Sequence, residues 1–272
     1  MVLAPAKAGA ALISIPGAME LGIMADRRQA ALAVLAGSAF LAIFWSAAAR
    51  ADPRAVVELF TSQGCSSCPP ADNLLGELAR DSSIVAISLP IDYWDYLGWT
   101  DTLALPGHAK RQRAYARMRG DREVYTPQVV VNGATHVLGS DKAAIERAIA
   151  QSGGNAGLAL PVSVSVSDNA LTVNVPAAKN HQASGEVWLC PLTKSISVAI
   201  GRGENNGRTI TYYNVVRRWI KLGDWKGKAD NFKMPLADIT SIADVDAVAV
   251  VVQSGVPSAP GPMLGAAVGS LR

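Results

Sequence analysis

The chain has 272 residues, of which half are apolar and 17% are charged. This composition excludes an intrinsically disordered protein, and 24 glycines with 15 prolines are too few for a collagen-like or low-complexity chain. The net charge is +3, and residues 52–272 carry 21 basic and 20 acidic side chains, which argues against a protein that binds nucleic acids through its overall charge.

The N-terminal residues have the pattern of an export signal. Arg27 and Arg28 precede an uncharged, apolar run of 20 residues, and Ala49-Arg50-Ala51 has small residues in the spacing of a cleavage site. Residues 1–51 are therefore predicted to be a signal peptide together with an upstream segment that precedes the true start codon. The run is also just long enough to span a bilayer, so an uncleaved anchor is the alternative. We expect a periplasmic or secreted protein, attached to a membrane only if this segment is uncleaved.

Residues 52–151 are predicted to alternate between strands and helices. Short runs of apolar, β-branched residues indicate the strands, and apolar residues at helical spacing, from Ala71 to Leu78, indicate the first helix. The predicted order is a strand at 55–60, a helix from 71, a strand at 84–89, a helix at 108–119, a strand at 128–131 and a helix at 143–151. Such alternation is typical of an α/β domain whose sheet has some parallel pairing.

The pattern changes after residue 157. Residues 152–157 have the composition of a linker, and beyond them valines alternate with serines before the turn residues Asp168 and Asn169. This alternation predicts an antiparallel hairpin with one buried face. Further strand-like runs, without helical periodicity, predict that residues 158–272 form an all-β, sandwich-like domain.

The chemical motif of the chain is Cys65-Ser66-Ser67-Cys68, which lies between a predicted strand and a predicted helix. A Cys-x-x-Cys sequence in this setting is typical of redox-active thiol pairs. A cysteine at a helix N-terminus lies near free N–H groups and the positive end of the helix dipole, which stabilises a thiolate. We therefore predict that Cys65 attacks a substrate disulfide and that Cys68 resolves the resulting mixed disulfide.

Two other roles are open for the cysteine pair. The first is a static disulfide, although closing such a short loop contributes only about 2 kcal/mol, which makes it a weak crosslink for a chain of this size. The second is metal binding, and a copper site would need His136 or Cys190 as a further ligand. Pro69 excludes the Cys-x-x-Cys-His sequence of c-type haem attachment. The favoured function involves no metal and no cofactor.

An aromatic segment follows the second predicted strand. Four of the 16 aromatic residues of the chain lie close together here: Tyr93, Trp94, Tyr96 and Trp99. Because α/β sheets place their sites at the carboxyl ends of strands, we predict an apolar lip that binds an extended or partly unfolded peptide. The alternative is that these rings pack the segment onto the rest of the fold.

Glu58 lies in the strand that leads to the cysteine motif. We expect it to be an exposed carboxylate at the edge of the sheet. The alternative is a buried proton acceptor for Cys68.

Four segments resemble the signature of a family of exported bacterial proteins of unknown function with a thioredoxin-like fold. They are ELFTSQGCSSCPPAD at residues 58–72, DYWDYLGW at 92–99, YTPQ at 125–128 and RGEN at 202–205. The resemblance extends over about residues 54–272, and it implies that Cys65, Cys68 and Pro127 match the thioredoxin cysteine pair and cis-proline. It also implies that Thr126 pairs with the backbone of a substrate. The chain departs from thioredoxin in lacking Trp-Cys-Gly-Pro-Cys, in a long insertion after Leu89 and in its C-terminal β region.

Together these patterns predict an α/β thioredoxin-like domain over residues 52–151, followed by an all-β sandwich-like domain over residues 158–272. The predicted function is extracytoplasmic thiol–disulfide exchange through Cys65 and Cys68. Its partners would be protein thiols or disulfides and a redox partner that the sequence does not identify, with no role for nucleic acid. The alternative function is a non-catalytic binding or copper-delivery module.

Overall fold

The computed structural model describes residues 52–153, 158–179 and 183–271. The predicted signal peptide and residues 154–157 of the predicted linker lie outside these ranges. Within them, every helix is too short or too polar to cross a bilayer.

The described residues form strands β1 to β12 and helices α1 to α4. In chain order they are β1 (Ala55–Thr61), α1 (Pro69–Leu78), β2 (Ile84–Pro90), a 3₁₀ turn (Asp95–Leu97), α2 (Pro106–Arg119), β3 (Gln128–Val131), β4 (Thr135–Leu138), α3 (Lys142–Gly153), β5 (Ser163–Ser167), β6 (Ala170–Val175), β7 (Gly185–Ala199), β8 (Thr209–Val216), β9 (Ile220–Trp225), β10 (Asp230–Pro235), α4 (Leu236–Thr240), β11 (Ala247–Val256) and β12 (Ala259–Ser270). The strands and helices predicted up to residue 151 agree with these elements. The predicted hairpin is β5–β6, and its turn residues Asp168 and Asn169 have the positive φ angles that short polar side chains tolerate.

Local sequence explains where the helices begin and end. α1 begins directly after Cys68 with Pro69 and Pro70, which lose no hydrogen bond because the first N–H groups of a helix have no partner within it. α2 also begins at a proline, Pro106. It ends before Gly120, whose φ of 78° is the left-handed conformation that commonly terminates a helix.

One mixed sheet contains nine strands. Eight follow one another in the order β12-β11-β7-β8-β2-β1-β3-β4, and β9 pairs with the N-terminal part of β7. A separate sheet has three strands in the order β10-β6-β5. Strands β1 to β4 of the large sheet meet strands β7 to β9, β11 and β12 where β8 runs parallel to β2, and the residues paired there are Ser88 and Val215.

The prediction of an α/β thioredoxin-like domain followed by an all-β sandwich-like domain is wrong. Most regular structure in the described residues is strand, and the nine-stranded sheet contains strands from both predicted parts. The physical reason is that β2 is buried along its whole length, so its backbone needs hydrogen-bond partners on both edges. β1 supplies one edge and β8 borders the other, and pairing between segments so far apart in sequence leaves no local pattern.

The same strands contribute to cores on both faces of the sheet. Val56 and Phe60 of β1 pack on one face with residues of β7, β11 and β12. Val57 and Leu59 pack on the other face, under α1 and α3. Along β11 the side chains alternate in the same way between the first core and a third core, which lies against the three-stranded sheet. This two-sided burial explains why β1 and β11 are apolar over most of their length.

Candidate functional site

The cysteine pair forms a disulfide at the start of α1. β1 carries the chain into the motif, where the N–H of Cys65 donates to the carbonyl of Ser62 at 3.2 Å and the N–H of Cys68 donates to the carbonyl of Cys65 at 3.2 Å. The carbonyl of Cys68 then accepts from the N–H groups of Ala71 at 2.8 Å and Asp72 at 3.1 Å. Cys68 is therefore the N-cap residue of the helix.

Both cysteines of the disulfide are buried, and the turn between them is exposed. Cys68 is fully buried and Cys65 is 2% exposed, so the two cysteines differ little in exposure. Ser66 and Ser67 are exposed. The hydroxyl of Ser67 lies 3.4 Å from Sγ of Cys65. These serines are the exposed residues between the two buried cysteines.

Residues 202–205, which are distant in sequence, form hydrogen bonds to the cysteine motif. The side-chain amide of Asn205, which is fully buried, donates to the carbonyls of Gln63 at 3.0 Å and Cys65 at 2.9 Å. The N–H of Ser66 donates to Oε2 of Glu204 at 3.1 Å. This exposed carboxylate has a lowered pKa because its charged form accepts hydrogen bonds from Ser66. Residues remote in sequence therefore complete the surroundings of Cys65.

Gln63 connects the motif to the aromatic segment. Its N–H donates to Oδ2 of Asp101 at 2.8 Å, and its Oε1 accepts from the indole N–H of Trp99 at 2.8 Å. Burial raises the pKa of Asp101 to about 6, although the N–H groups of Gln63 and Leu103 partly oppose the shift. Trp99 thus contacts the residues next to the cysteine motif through its hydrogen bond to Gln63.

Trp94 links the cysteine motif to Thr126. Its indole N–H donates to the Thr126 hydroxyl at 2.7 Å, and its Cβ lies 3.0 Å from the position that a Cβ on Gly64 would occupy. The Thr126–Pro127 peptide bond is cis. The structure therefore brings Gly64, Trp94 and Thr126 into one cluster beside Cys65.

The other two aromatic side chains of the segment have different environments. The hydroxyl of Tyr93 donates to Gln112 at 3.2 Å and so fixes this ring against α2. Tyr96 is 77% exposed, and its ring stacks on that of Trp94 with centroids 6.2 Å apart. Of the predicted lip, the surface available to a peptide is therefore mainly that of Tyr96 and the open side of Trp94.

A buried carboxyl group without a hydrogen-bond partner lies one helical turn from Cys68. Asp72 is 1% exposed, and neither of its carboxyl oxygens has a hydrogen-bond partner among the described residues. Burial raises its pKa to about 8. The nearby Thr61 hydroxyl opposes this shift, without reaching hydrogen-bond geometry, and the charge of Asp101 adds to it. Asp72 is therefore mainly protonated at pH 7.

Glu58 is not part of this site. The expectation of an exposed edge carboxylate is wrong, because β1 lies between β2 and β3 and Glu58 is fully buried. Alternation along β1 places it on the face opposite to α1, where it accepts from Nε of Arg111 at 2.7 Å and from the hydroxyl of Tyr115 at 2.6 Å. Glu58 thus faces away from Cys68 and is hydrogen-bonded to Arg111 and Tyr115.

The further ligands that a copper site would need have other surroundings. Nδ1 of His136 lies 3.0 Å from the hydroxyl of Tyr125, and Cys190 is buried in the core of the sheet. In the ranges that the structure covers, no group of three or more His, Cys, Asp or Glu side chains is arranged to hold a metal ion.

Comparison with known families matches residues 56–253 to a protein family of unknown function, DUF1223. The chain belongs to this family. The matched range contains the cysteine motif, the cis-proline and the 202–205 segment. The resemblance to a family of unknown function is therefore confirmed.

Two solved structures resemble this DUF1223 protein. One is the crystal structure of a protein from Agrobacterium tumefaciens with 31% identity and a TM-score of 0.72, and the match covers 81% of this chain and 96% of that one. The other is HBP35 of Porphyromonas gingivalis with 13% identity and a TM-score of 0.56, covering 81% of this chain and 76% of that one. At that identity the second likeness concerns the fold alone. No curated protein matches the chain.

Sequence reasoning missed three residues of the DUF1223 site: Gln63, Asp72 and Asn205. Asn205 lies in the RGEN segment of the family signature, but its partners are about 140 residues away, so its role was hidden. Asp72 had a readable signal, because it lies at helical spacing from the buried residues Leu75 and Gly76. A carboxylate on a buried helix face is uncommon and indicates an unusual pKa.

Proposed function

We propose that this protein exchanges disulfides with protein substrates, outside the cytoplasm, through Cys65 and Cys68. The observation that carries the proposal is the closed disulfide at the N-terminus of α1, with the exposed Ser66 and Ser67 between its two cysteines. A helix N-terminus stabilises a thiolate, which is the leaving group when such a disulfide is opened.

The exchange consists of two balanced steps. A substrate thiolate attacks Sγ of Cys65, a bond forms between the two sulfurs, and the Cys65–Cys68 bond breaks with its electron pair on Sγ of Cys68. A second substrate thiolate then attacks the substrate sulfur of this mixed disulfide, and Cys65 leaves as a thiolate. The substrate dithiol has lost two electrons and the cysteine pair has gained them. In the reverse direction Cys65 is the attacking thiolate and Cys68 resolves the mixed disulfide.

Asp72 is the proposed source of the proton that the Cys68 thiolate gains when the disulfide opens. Cys68 is fully buried, so a thiolate formed there is poorly solvated and is stabilised by gaining a proton. Asp72 lies one helical turn away and is mainly protonated at pH 7, because burial raises its pKa to about 8. We assign it as the residue that supplies this proton and takes it back in the reverse direction.

The substrate peptide would bind beside the disulfide. Tyr96 and Trp94 offer a stacked aromatic surface, and Trp94 is hydrogen-bonded to Thr126, next to Pro127. An extended peptide that lies on these rings could pair with the backbone at Thr126. Tyr96→Ala should therefore weaken the binding of unfolded substrates without changing the stability of the protein.

Trapping of mixed disulfides tests the exchange. Cys68→Ser should accumulate disulfide-linked complexes with cellular proteins, because the intramolecular second step is blocked, whereas Cys65→Ser should accumulate few. Cys190→Ser is the matched control, since Cys190 is a free, buried cysteine outside the site, and it should trap none. Non-reducing gels and mass spectrometry of the complexes give the readout. Equal trapping by both variants would contradict the roles of the two cysteines, and an absence of complexes would favour a static disulfide.

The extracytoplasmic location is tested separately. We expect the mature chain to begin near residue 52, because the apolar run and the small-residue pattern precede it. Mass spectrometry of the N-terminus in the periplasmic and secreted fractions measures this. A soluble, full-length chain in the cytosol would contradict it.

A further inference from the structure

A cavity lies on the face of the large sheet opposite to α1, away from the disulfide. It has a volume of about 240 Å³ and is enclosed by the start of α2, by β7 and by the turn between β11 and β12. Its walls include Arg111, Trp188 and Trp219, and Lys110 and Val256 lie at its rim. We propose that this cavity binds a small aromatic carboxylate, independently of the disulfide exchange proposed above.

The guanidinium group of Arg111 is held rigidly at this cavity. Its Nε donates to Glu58 at 2.7 Å, and its Nη2 donates to the hydroxyl of Tyr115 and to Oε1 of Gln253. Nη1 has no hydrogen-bond acceptor among the described residues. Arg111 therefore keeps two free donors on Nη1 while it lines the cavity, and its other hydrogen bonds fix its orientation before a ligand arrives. A carboxylate oxygen is the natural acceptor for such a group.

The aromatic walls are also held in place. The guanidinium group of Arg111 lies 4.4 Å from the ring centroid of Trp219, and the ring of Trp188 meets that of Trp219 edge-on, with centroids 6.3 Å apart. The indole N–H of Trp188 donates to Glu186 at 3.1 Å, and Glu186 in turn accepts from Lys221 at 2.6 Å. Rings that are already oriented bind a flat ligand without a further ordering cost.

The charges around the cavity favour an anion. Glu58 is paired with Arg111, and Glu186 is paired with Lys221, which also pairs with Asp224 at 2.7 Å. Lys110 is exposed and has no ion-pair partner in the described part of the chain. Lys110 therefore adds a positive charge without an ion-pair partner at the cavity, next to the free donors of Arg111. The volume suits one ring or a fused pair of rings rather than a large cofactor.

Binding of benzoate and indole-3-acetate to the oxidised protein tests the proposal. Tryptophan fluorescence and ligand-observed NMR should show saturable binding, and the matched methyl esters should bind about tenfold more weakly because they lack the charge. Val256→Glu places a carboxylate at the rim and should weaken binding of the acids by a similar factor. Val166→Glu is the control, since Val166 is also an exposed valine and lies on the three-stranded sheet, and it should leave binding unchanged.

A second variant tests the role of Arg111 directly. The double substitution Glu58→Gln with Arg111→Met removes the guanidinium together with its buried partner, so no charge is left unpaired. It should abolish binding of both acids, with circular dichroism and thermal unfolding as the check that the fold is retained. Should this variant fail to fold, the Val256→Glu result decides. Equal binding of acids and esters, unchanged binding in Val256→Glu, or no saturable binding up to about 10 mM would overturn the proposal.

Discussion

Two carboxyl groups are buried beside β1, on opposite faces of the sheet, and their surroundings differ sharply. Glu58 accepts hydrogen bonds from Arg111 and Tyr115, whereas neither oxygen of Asp72 has a partner among the described residues. A buried carboxylate with a cation and a hydroxyl can remain charged, whereas one without partners keeps its proton. The first is therefore held in a buried ion pair, and the second holds a proton one helical turn from Cys68.

The sheet itself produces this difference. Side chains of β1 alternate between its faces, so Glu58 meets α2 and the second half of the chain, and Thr61 points toward the face that α1 covers. The face with Glu58 carries the aromatic cavity, and the face with α1 carries the disulfide. Four substitutions test whether the two regions are as different as their contacts indicate.

The largest effect is expected for Arg111→Met. It leaves Glu58 buried without its cation, which should cost about 3–5 kcal/mol of unfolding free energy. Urea unfolding of the oxidised protein measures this, and Arg117→Met, an exposed arginine of the same helix, is the control. Adding Glu58→Gln to the variant should restore most of the loss. A loss no larger than that of Arg117→Met would show that the ion pair contributes little.

Asp72→Asn should have an effect that depends on pH. The folded protein keeps the proton of Asp72 up to a pKa of about 8, whereas the unfolded chain releases it near the ordinary aspartate pKa of 3.8. Wild-type stability therefore falls as the pH rises between these values. The decline attributable to Asp72 is at most about 1.4 kcal/mol for each pH unit. Asparagine does not ionise, so the variant should become more stable relative to the wild type as the pH increases.

Urea unfolding at several pH values between 5 and 8 measures the Asp72→Asn effect. Asp168→Asn, at an exposed turn position that tolerates asparagine, should show the pH dependence of the wild type. The Asp72 variant should also exchange disulfides more slowly below pH 8, because the proton donor for Cys68 is lost. Parallel stability curves for wild type and Asp72→Asn would mean that the buried carboxyl group is not protonated.

Asn205→Ala tests the link between the 202–205 segment and the motif. The substitution removes two hydrogen bonds to the carbonyls of Gln63 and Cys65. The Cys65 carbonyl still accepts from the N–H of Cys68, whereas the Gln63 carbonyl has no other donor in the described contacts. We expect the free energy of unfolding to fall by about 1–3 kcal/mol and dithiothreitol to reduce the disulfide faster. The neighbouring Asn206→Ala, at an exposed position, is the control. Identical reduction rates in the two variants would remove Asn205 from the site.

The smallest effect is expected for Glu204→Gln. It keeps an acceptor for the N–H of Ser66 but removes a negative charge next to Cys65, which favours the thiolate. In the reduced protein, alkylation of Cys65 by iodoacetamide should reach half its maximal rate at a pH about half a unit lower than in the wild type. Glu77→Gln, an exposed carboxylate of α1, should leave the profile unchanged. A shift of equal size in both variants would indicate a general charge effect.

The sequence alone determined many of the local elements and the chemical motif. Apolar spacing was sufficient to place β1, α1 and β2, because periodicity depends only on which side chains must face a core. The β5–β6 hairpin followed from valine and serine alternation and two turn residues. The position of Cys65 and Cys68 between a strand and a helix, and the family to which the chain belongs, were also readable without coordinates.

Only the tertiary structure decided how these pieces combine. β2 is buried on both sides and has β8 as its second neighbour, so strands from the two predicted domains form one sheet. In that sheet Glu58 faces away from the cysteines. Asn205 reaches the motif because the loop after β7 lies next to it, over a separation of 140 residues. Backbone pairing and the partners of buried charges are set by what lies close in space, and local sequence patterns do not record which distant segment that is.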